Sequence, residues 1–304
     1  TLKSKKGLNR KGGGLAAPAL TEKDIHDIEK ATALGIDYLT LSFVKDAQDI
    51  LTARSLLAAH QCPLVRIIAK IERTEALHHL TDIIHHTDAI MVARGDLGVE
   101  IGAAEVPAIQ KRIIEETRRL DKVVITATQM MESMIYQPQP TRAEVSDIAN
   151  AILDGTDAVM LSAETATGRY PVKVIEMVEK ICVSVEKHAS FYYKIDAESC
   201  HYQRPDQAIA MATMHTANHF PIKAIIALTE SGASALWMSR QYSHVPIFAI
   251  TANALTMRQL SLVNNVFPLF FDYHGLSPEE TKKAILAYLG QLKLIQNKQY
   301  ILLT

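Results

Sequence analysis

Cysteine is nearly absent from this sequence. Three occur in 304 residues, Cys62, Cys182 and Cys200. Odd in number and widely spaced, they exclude a disulfide scaffold and a cysteine zinc framework and fit a reduced, cytoplasmic protein. Neither sign of charge is in surplus: the formal net charge is -1, so no global basic field holds nucleic acid or an anionic membrane. No run of about 20 apolar residues is present, which excludes a bilayer-spanning helix. No signal-peptide pattern is expected at the start, which is Thr1. Neither G-x-x-x-x-G-K-S/T nor G-x-G-x-x-G occurs, so Walker-type and dinucleotide phosphate cradles are not expected.

What is present is a chain with 48% hydrophobic residues, enough for two domains with cores of their own. Residues 1–14, TLKSKKGLNRKGGG, are basic, glycine-rich and without an apolar period. From Thr21 onward, helical patterns alternate with short apolar runs: DYLTLSF (37–43), LVRIIAKIE (64–72), AIMVARGD (89–96), KVVITATQ (122–129) and AVMLSAE (158–164). Short apolar strands between helices predict a parallel sheet with helices outside it. Thr21 with Asp24, and Thr141 with Glu144 just after Pro140, mark two helix starts.

The runs begin apolar and end polar: Ser42-Phe43, Lys70-Ile71-Glu72, Arg94-Gly95-Asp96, Thr126-Ala127-Thr128-Gln129 and Ser162-Ala163-Glu164. In a parallel α/β sheet or barrel all these ends lie at one rim, and that rim carries the chemistry. Lys70 and Glu72, two apart on a strand, point the same way. Glu72 and Asp96 fit the ligands of a hard divalent ion such as Mg²⁺. Lys70 is then a cation beside the metal, of use where charge develops on an oxygen. Gly95 lets a substrate approach the backbone. Thr126 and Thr128 share a face by alternation, with Thr128 able to hydrogen-bond a substrate or relay a proton through water. A lone K-x-E at a strand end is usually a surface ion pair, and threonine is simply a good strand former. The recurrence of polar strand ends is what points to a metal-assisted enzyme. The pairs His78-His79 and His85-His86 read as solvated helix faces. Met130, Met131, Met134, Met211 and Met214 read as core filler.

After about residue 190 the rhythm breaks at YYKIDAESCHYQRPD. Four more strands are expected, in KAIIALT, PIFAIT, VFPLFF and YILLT, with Pro268 placing the third at an edge. Ser277 and Pro278 open a helix. The loop LTESGASA (228–235) follows the first of these strands. Thr229, Ser231 and Ser234 offer hydroxyls, Gly232 frees the backbone, and the following helix is expected to present unpaired N–H groups, a combination suited to phosphate. Plain N-capping by Ser231 or Ser234 is the competing reading.

Five signatures, KKGLNRKGGG, IIAKIE, MVARGDLGVEI, VVITATQMMESM and QPTRAEVSDIANAILDGTDAVMLSAETATGRYP, occur in one order, and in that order the chain resembles pyruvate kinase. With TESG in its second domain it is similar to the bacterial kind. The resemblance implies a (β/α)8 TIM-type barrel followed by a small open α/β domain. It also implies transfer of the phosphoryl group of phosphoenolpyruvate to ADP, giving pyruvate and ATP, the last step of glycolysis. Mg²⁺ (or Mn²⁺) and K⁺ are the implied cofactors. Glu72 and Asp96 would hold the divalent metal, and Lys70 would stabilise the transferring phosphoryl group and the enolate oxygen. Gly95, Asp96 and Thr128 would contact substrate, Lys6 would lie near the nucleotide phosphates, and Arg94 and Glu164 would support the site.

The family also implies a homotetramer and a phosphorylated effector at Thr229, Ser231, Gly232 and Ser234. Glu230 stands where some relatives carry a basic residue, which points to a sugar monophosphate or AMP over fructose 1,6-bisphosphate. Five barrel strands against the family's eight imply residues 1–14 as the tail of an inserted lid domain, 15–190 as a partial barrel and 191–304 as an incomplete effector and assembly domain. Most K⁺ ligands would then lie elsewhere, and the chain alone is expected to be inactive, with unpaired edges. Other metal-dependent barrels of the phosphoenolpyruvate/pyruvate type, lyases or aldolases, explain Glu72 and Asp96 but not KKGLN or TATQMMESM. A non-catalytic effector-binding fragment is the alternative outside enzymes.

Overall fold

Nine apolar runs are expected to be strands, and each forms one. In the computed structural model, which describes residues 18–188 and 204–304, the first five are β1 (Tyr38–Leu41), β2 (Arg66–Ile71), β3 (Ala89–Ala93), β4 (Val123–Ala127) and β5 (Ala158–Met160). They pair in chain order, β1-β2-β3-β4-β5, all parallel. All five residues of β3 and of β4 are buried, because helices cover a parallel sheet. The helices of this unit are α1 (Glu22–Ala33), α2 (Ala47–Ala59), α3 (Thr74–His78), α4 (Leu80–His86), α5 (Arg94–Ile101), α6 (Val106–Arg119), α7 (Arg142–Leu153), α8 (Ala163–Ala166) and α9 (Pro171–Glu186). Ile67, Ile71, Ile90 and Ile113 are fully buried in the main core, each contributing roughly 1.5–3 kcal/mol.

The strand starts are pinned by a repeated device. Thr87 and Asp88 precede β3, and Thr156 and Asp157 precede β5. Asp88 accepts the Ile67 N–H at 2.8 Å, and Asp157 accepts the Val124 N–H at 2.9 Å. The Thr87 hydroxyl donates to Ile67 O at 2.8 Å, and that of Thr156 to Val124 O at 3.1 Å. Each device thus ties a strand to its predecessor at the end opposite the rim. Arg54 donates to Asp88 at 2.8 Å, and Lys122 to Thr87 O at 2.7 Å. Burial pushes the Lys122 ammonium below its ordinary pKa, consistent with a structural cation held at this end.

The division into two compact units falls at residues 189 and 190. The second contains α10 (Pro205–His219), β6 (Ile222–Leu228), α11 (Ala233–Ser239), β7 (Ile247–Thr251), α12 (Ala254–Leu260), β8 (Val266–Phe270), α13 (Pro278–Gln291) and β9 (Tyr300–Leu303). Its parallel sheet runs β8-β7-β6-β9. Pro268 lies on the edge strand β8, as its missing N–H requires. Ile226, Ile250, Ile285 and Leu289 form one buried apolar cluster in it. No helix among the described residues is long and apolar enough to cross a membrane.

The expected helix starts are realised. Thr21 with Asp24, Thr141 with Glu144 and Ser277 with Glu280 all close capping boxes. His78, His79 and His85 are exposed, and Met130, Met131 and Met134 are fully buried, as their residue types suggested. Glu144 does more than cap α7. Its carboxylate also accepts the N–H of Ser133 at 2.7 Å and the Ser133 hydroxyl, tying α7 to the 3-10 turn Glu132–Ile135. Burial pushes this carboxyl up, but the hydrogen bonds from Ser133 and Thr141 outweigh it and hold the pKa below its ordinary value of 4.5. A depressed folded pKa contributes stability that is present above the unfolded value and lost as pH falls through the folded one. Glu144→Gln should therefore lower thermal stability at neutral pH and flatten its acid limb below about pH 4.5, checked by melting curves across pH 2–7. An unchanged acid limb would remove Glu144 from this role.

Candidate functional site

The rim is built from the residue outward. Lys70, on β2, and Glu72, just past its end, do point to one side: Lys70 Nζ lies 2.6 Å from Glu72 Oε1 and donates to the Ser42 hydroxyl, just past the end of β1, at 3.0 Å. Glu72 is 1% exposed. Its Oε2 accepts the Phe43 N–H at 2.6 Å, which steadies Phe43 in the left-handed region at φ 55°. Oε1 touches the ammonium but accepts no directed hydrogen bond. The ammonium balances the buried charge, and the lone pairs of Oε1 that carry no directed bond leave capacity for a second cation, so Glu72 could serve as a metal ligand.

β3 stops at Ala93 and α5 begins at Arg94, so the expected strand end Arg94-Gly95-Asp96 is the first turn of a helix. That turn places Asp96, half-buried, among backbone N–H groups that favour a carboxylate. Glu72 and Asp96 thus stand at the ends of paired strands. Among the described residues no three His, Cys, Asp or Glu side chains gather to hold a metal. Two protein carboxylates with positions left for substrate oxygens is the pattern Mg²⁺ accepts. A Cβ added at Gly95 would meet the Thr128 side chain only at 3.6 Å, an ordinary contact. Packing within the chain therefore does not demand glycine there.

Alternation fails at the end of β4. Thr126 is buried and donates to the Thr156 hydroxyl at 3.0 Å. Thr128 lies past the strand in a left-handed turn, with φ 67°, followed by Gln129 at φ 54°. Thr126 and Thr128 therefore do not share a face. A β-branched residue in that region costs on the order of 1–3 kcal/mol and persists only where its surroundings over-determine it. Here they do. Arg94, 7% exposed, donates to Ala127 O at 3.2 Å, to Thr128 O and to Gln129 O at 3.3 Å. Its remaining nitrogen pairs with both oxygens of Asp147, on α7, at 2.7 and 2.6 Å. Glu164, 3% exposed, accepts the N–H of Met131 at 3.3 Å and of Ser162 at 2.9 Å, joining the turn to the end of β5. The Thr128 hydroxyl donates to Ala127 O at 2.7 Å and accepts the Gly95 N–H at 3.0 Å. A cavity of about 780 Å³ reaches this cluster, with Arg94, Gly95, Gln129 and Asp147 in its wall.

Lys70, Glu72, Gly95, Asp96, Arg94, Thr128 and Glu164 thus occupy neighbouring strand ends of one sheet. Ser42, Asp147 and Glu144 were missed as partners. Ser42 was visible as a polar strand end, but nothing in the spacing of Asp147 links it to a turn before it. Lys6 lies outside the described residues. In the second unit the loop after β6 differs from expectation. The Gly232 N–H donates to Thr229 Oγ1 at 3.0 Å, and the Ala233 N–H to Ser231 Oγ at 3.4 Å. These N–H groups are not unpaired, because the loop hydroxyls close turns on them. Glu230 is exposed and Ser234 half-buried.

The family model for "Pyruvate kinase, barrel domain" matches residues 1–175, and that for "Pyruvate kinase, alpha/beta domain" matches residues 207–304. The chain is 48% identical to a pyruvate kinase of Buchnera aphidicola (from Schizaphis graminum), over 100% of this chain and 63% of that protein. It is 45% identical to pyruvate kinase II of Salmonella typhimurium, over 99% of this chain and 62% of the relative. A crystal structure of a pyruvate kinase from Cryptosporidium parvum superposes with a TM-score of 0.91 at 33% identity, covering 97% of this chain and 62% of that one. The chain spans about three fifths of the length of these relatives.

The Lys70–Glu72 geometry has a consequence for stability. Lys70→Met strands the buried Glu72 carboxylate and should destabilise the intact protein by about 3 kcal/mol in the presence of chelator. Added Mg²⁺ should restore part of that loss, and Lys70→Met with Glu72→Gln should recover more. A melting temperature that does not move on Lys70→Met would contradict the pairing.

Proposed function

We propose, from the premise that this chain belongs to the pyruvate kinase family, that it carries the catalytic rim of an enzyme moving the phosphoryl group of phosphoenolpyruvate to ADP. The observation that carries this reading is the buried Glu72 carboxylate, one oxygen bonded to backbone and the other facing the Lys70 ammonium with no directed partner. Glu72 and Asp96 would hold Mg²⁺, which supplies positive charge to phosphoryl and enolate oxygens when bound. K⁺ is proposed beside it on the resemblance alone. Phosphoryl transfer asks a protein for positioning and charge neutralisation more than for covalent chemistry, and the residues here suit that demand.

Lys70 provides a preorganised charge where the enolate oxygen develops its own. The Ser42 hydroxyl and Glu72 hold its Nζ in place from two sides. Thr128 Oγ1 already spends its proton on Ala127 O and accepts from Gly95. Its remaining lone pair is suited to accept from a water, so Thr128 orders proton delivery to the leaving enolate and is not itself the donor. Gly95 and Asp96 bring backbone and carboxylate to the substrate. Arg94 and Glu164 support the turn. A cytoplasmic location and a homotetramer belong to the same proposal.

Pyruvate release by the intact protein, measured with and without ADP, separates this reading from its rivals. A lyase would not need ADP, and a binding module would release nothing. Glu72→Gln and Asp96→Asn should each weaken Mg²⁺ dependence and lower turnover by at least roughly 10²–10³. Near-normal turnover in both variants would remove these residues from the site.

A phosphorylated effector at Thr229, Ser231, Gly232 and Ser234 is part of the proposal. It is supported by three hydroxyl side chains around a glycine in the left-handed region at φ 87°. The exposed Glu230 carboxylate opposes a second phosphate, so a sugar monophosphate or AMP should activate at subsaturating phosphoenolpyruvate. Strong activation by fructose 1,6-bisphosphate alone, unaffected by Glu230→Lys, would sink this part.

A further inference from the structure

Arg94 presents an unusual balance. Its guanidinium is almost wholly buried, yet most of its hydrogen bonds go to neutral acceptors: the carbonyls of Ala127, Thr128 and Gln129, and the Met130 sulfur at 3.4 Å. A buried cation needs a countercharge as well as acceptors. Among the described residues Asp147 is the acidic side chain paired with it, through both oxygens. Nη1 is thereby held on α7, and the fork geometry of the guanidinium aims Nε and Nη2 at three successive carbonyls of the turn. α7 is also tied to the far side of the same turn: Glu144, in its first turn, accepts the Ser133 N–H at 2.7 Å. One helix therefore holds both ends of the segment 127–133.

We infer that Asp147 is a positioning residue for the Thr128 hydroxyl. It anchors Arg94, and Arg94 keeps the left-handed Thr128–Gln129 turn in the conformation that sets Thr128 Oγ1 against Gly95. The catalytic consequence rests on the phosphoryl-transfer reading above; the conformational one rests on geometry alone.

The test is a double-mutant cycle in the intact protein. Asp147→Asn should lower kcat roughly tenfold or more, since small misplacements of a group that orders proton delivery are costly, while leaving KM for phosphoenolpyruvate and Mg²⁺ dependence nearly unchanged. In a Thr128→Ala background the same change should cost less than about twofold, because the group it positions is gone. A merely structural role would cost the same factor in both backgrounds, and that result overturns the inference, as does an undiminished kcat. Asp147→Glu keeps the countercharge, so it folds even where Asp147→Asn does not. It moves the anchor by one methylene and should show the same dependence on Thr128 with a smaller loss. Hydrogen exchange supplies a readout independent of turnover. Amides at 128–131 should exchange at least roughly tenfold faster in the Asp147 variants, with the β4 amides unchanged. If the wild-type protein releases no pyruvate, the phosphoryl-transfer reading fails, and exchange alone decides: unchanged protection at 128–131 overturns the inference.

Discussion

The rim depends on one buried guanidinium. Arg94 leaves β3 exactly where the chain turns from strand to helix, and it spends its donors on the segment that leaves β4. Without it, the carbonyls of the turn lose the donors that fix a β-branched residue in the left-handed region. With it, the hydroxyl of Thr128 meets the N–H of Gly95, and the ends of two neighbouring strands become a single rigid object. Catalytic groups on loops are only as accurate as the scaffold that holds them. Here the scaffold is charge: a cation from one strand end, with carboxylates from α7 and from the end of β5.

The Lys70–Glu72 pair is built on the opposite logic. Arg94 is saturated with partners, whereas Glu72 keeps an oxygen without a directed hydrogen bond. The two lie one strand apart. Saturation suits a group that must not move. An incompletely satisfied carboxylate keeps capacity for a further cation. The contrast tells the two strand ends apart where the sequence motifs do not, since both are equally polar.

Much of this was legible beforehand. Period and composition predicted all nine strands, the parallel character of the first sheet and three helix starts, since apolar strands and capping boxes are local signals. The shared side of Lys70 and Glu72 followed from alternation within a strand. Alternation then failed for Thr126 and Thr128, because the strand ends between them and the backbone turns left-handed. No residue in that turn is glycine or asparagine, the usual sign of such a turn. The partnership of Arg94 with Asp147 spans 53 residues and leaves no periodic trace. The loop after β6 showed its hydroxyls but not their use, since capping and ligand binding call for the same residue types.

The threonine–aspartate pairs before β3 and β5 act at the far end of the sheet from the rim. Each fixes how far one strand slides against its neighbour. The height at which neighbouring strand ends meet at the rim is therefore gauged at the opposite end of the sheet, and residues at one end can change while the register set at the other stays constant.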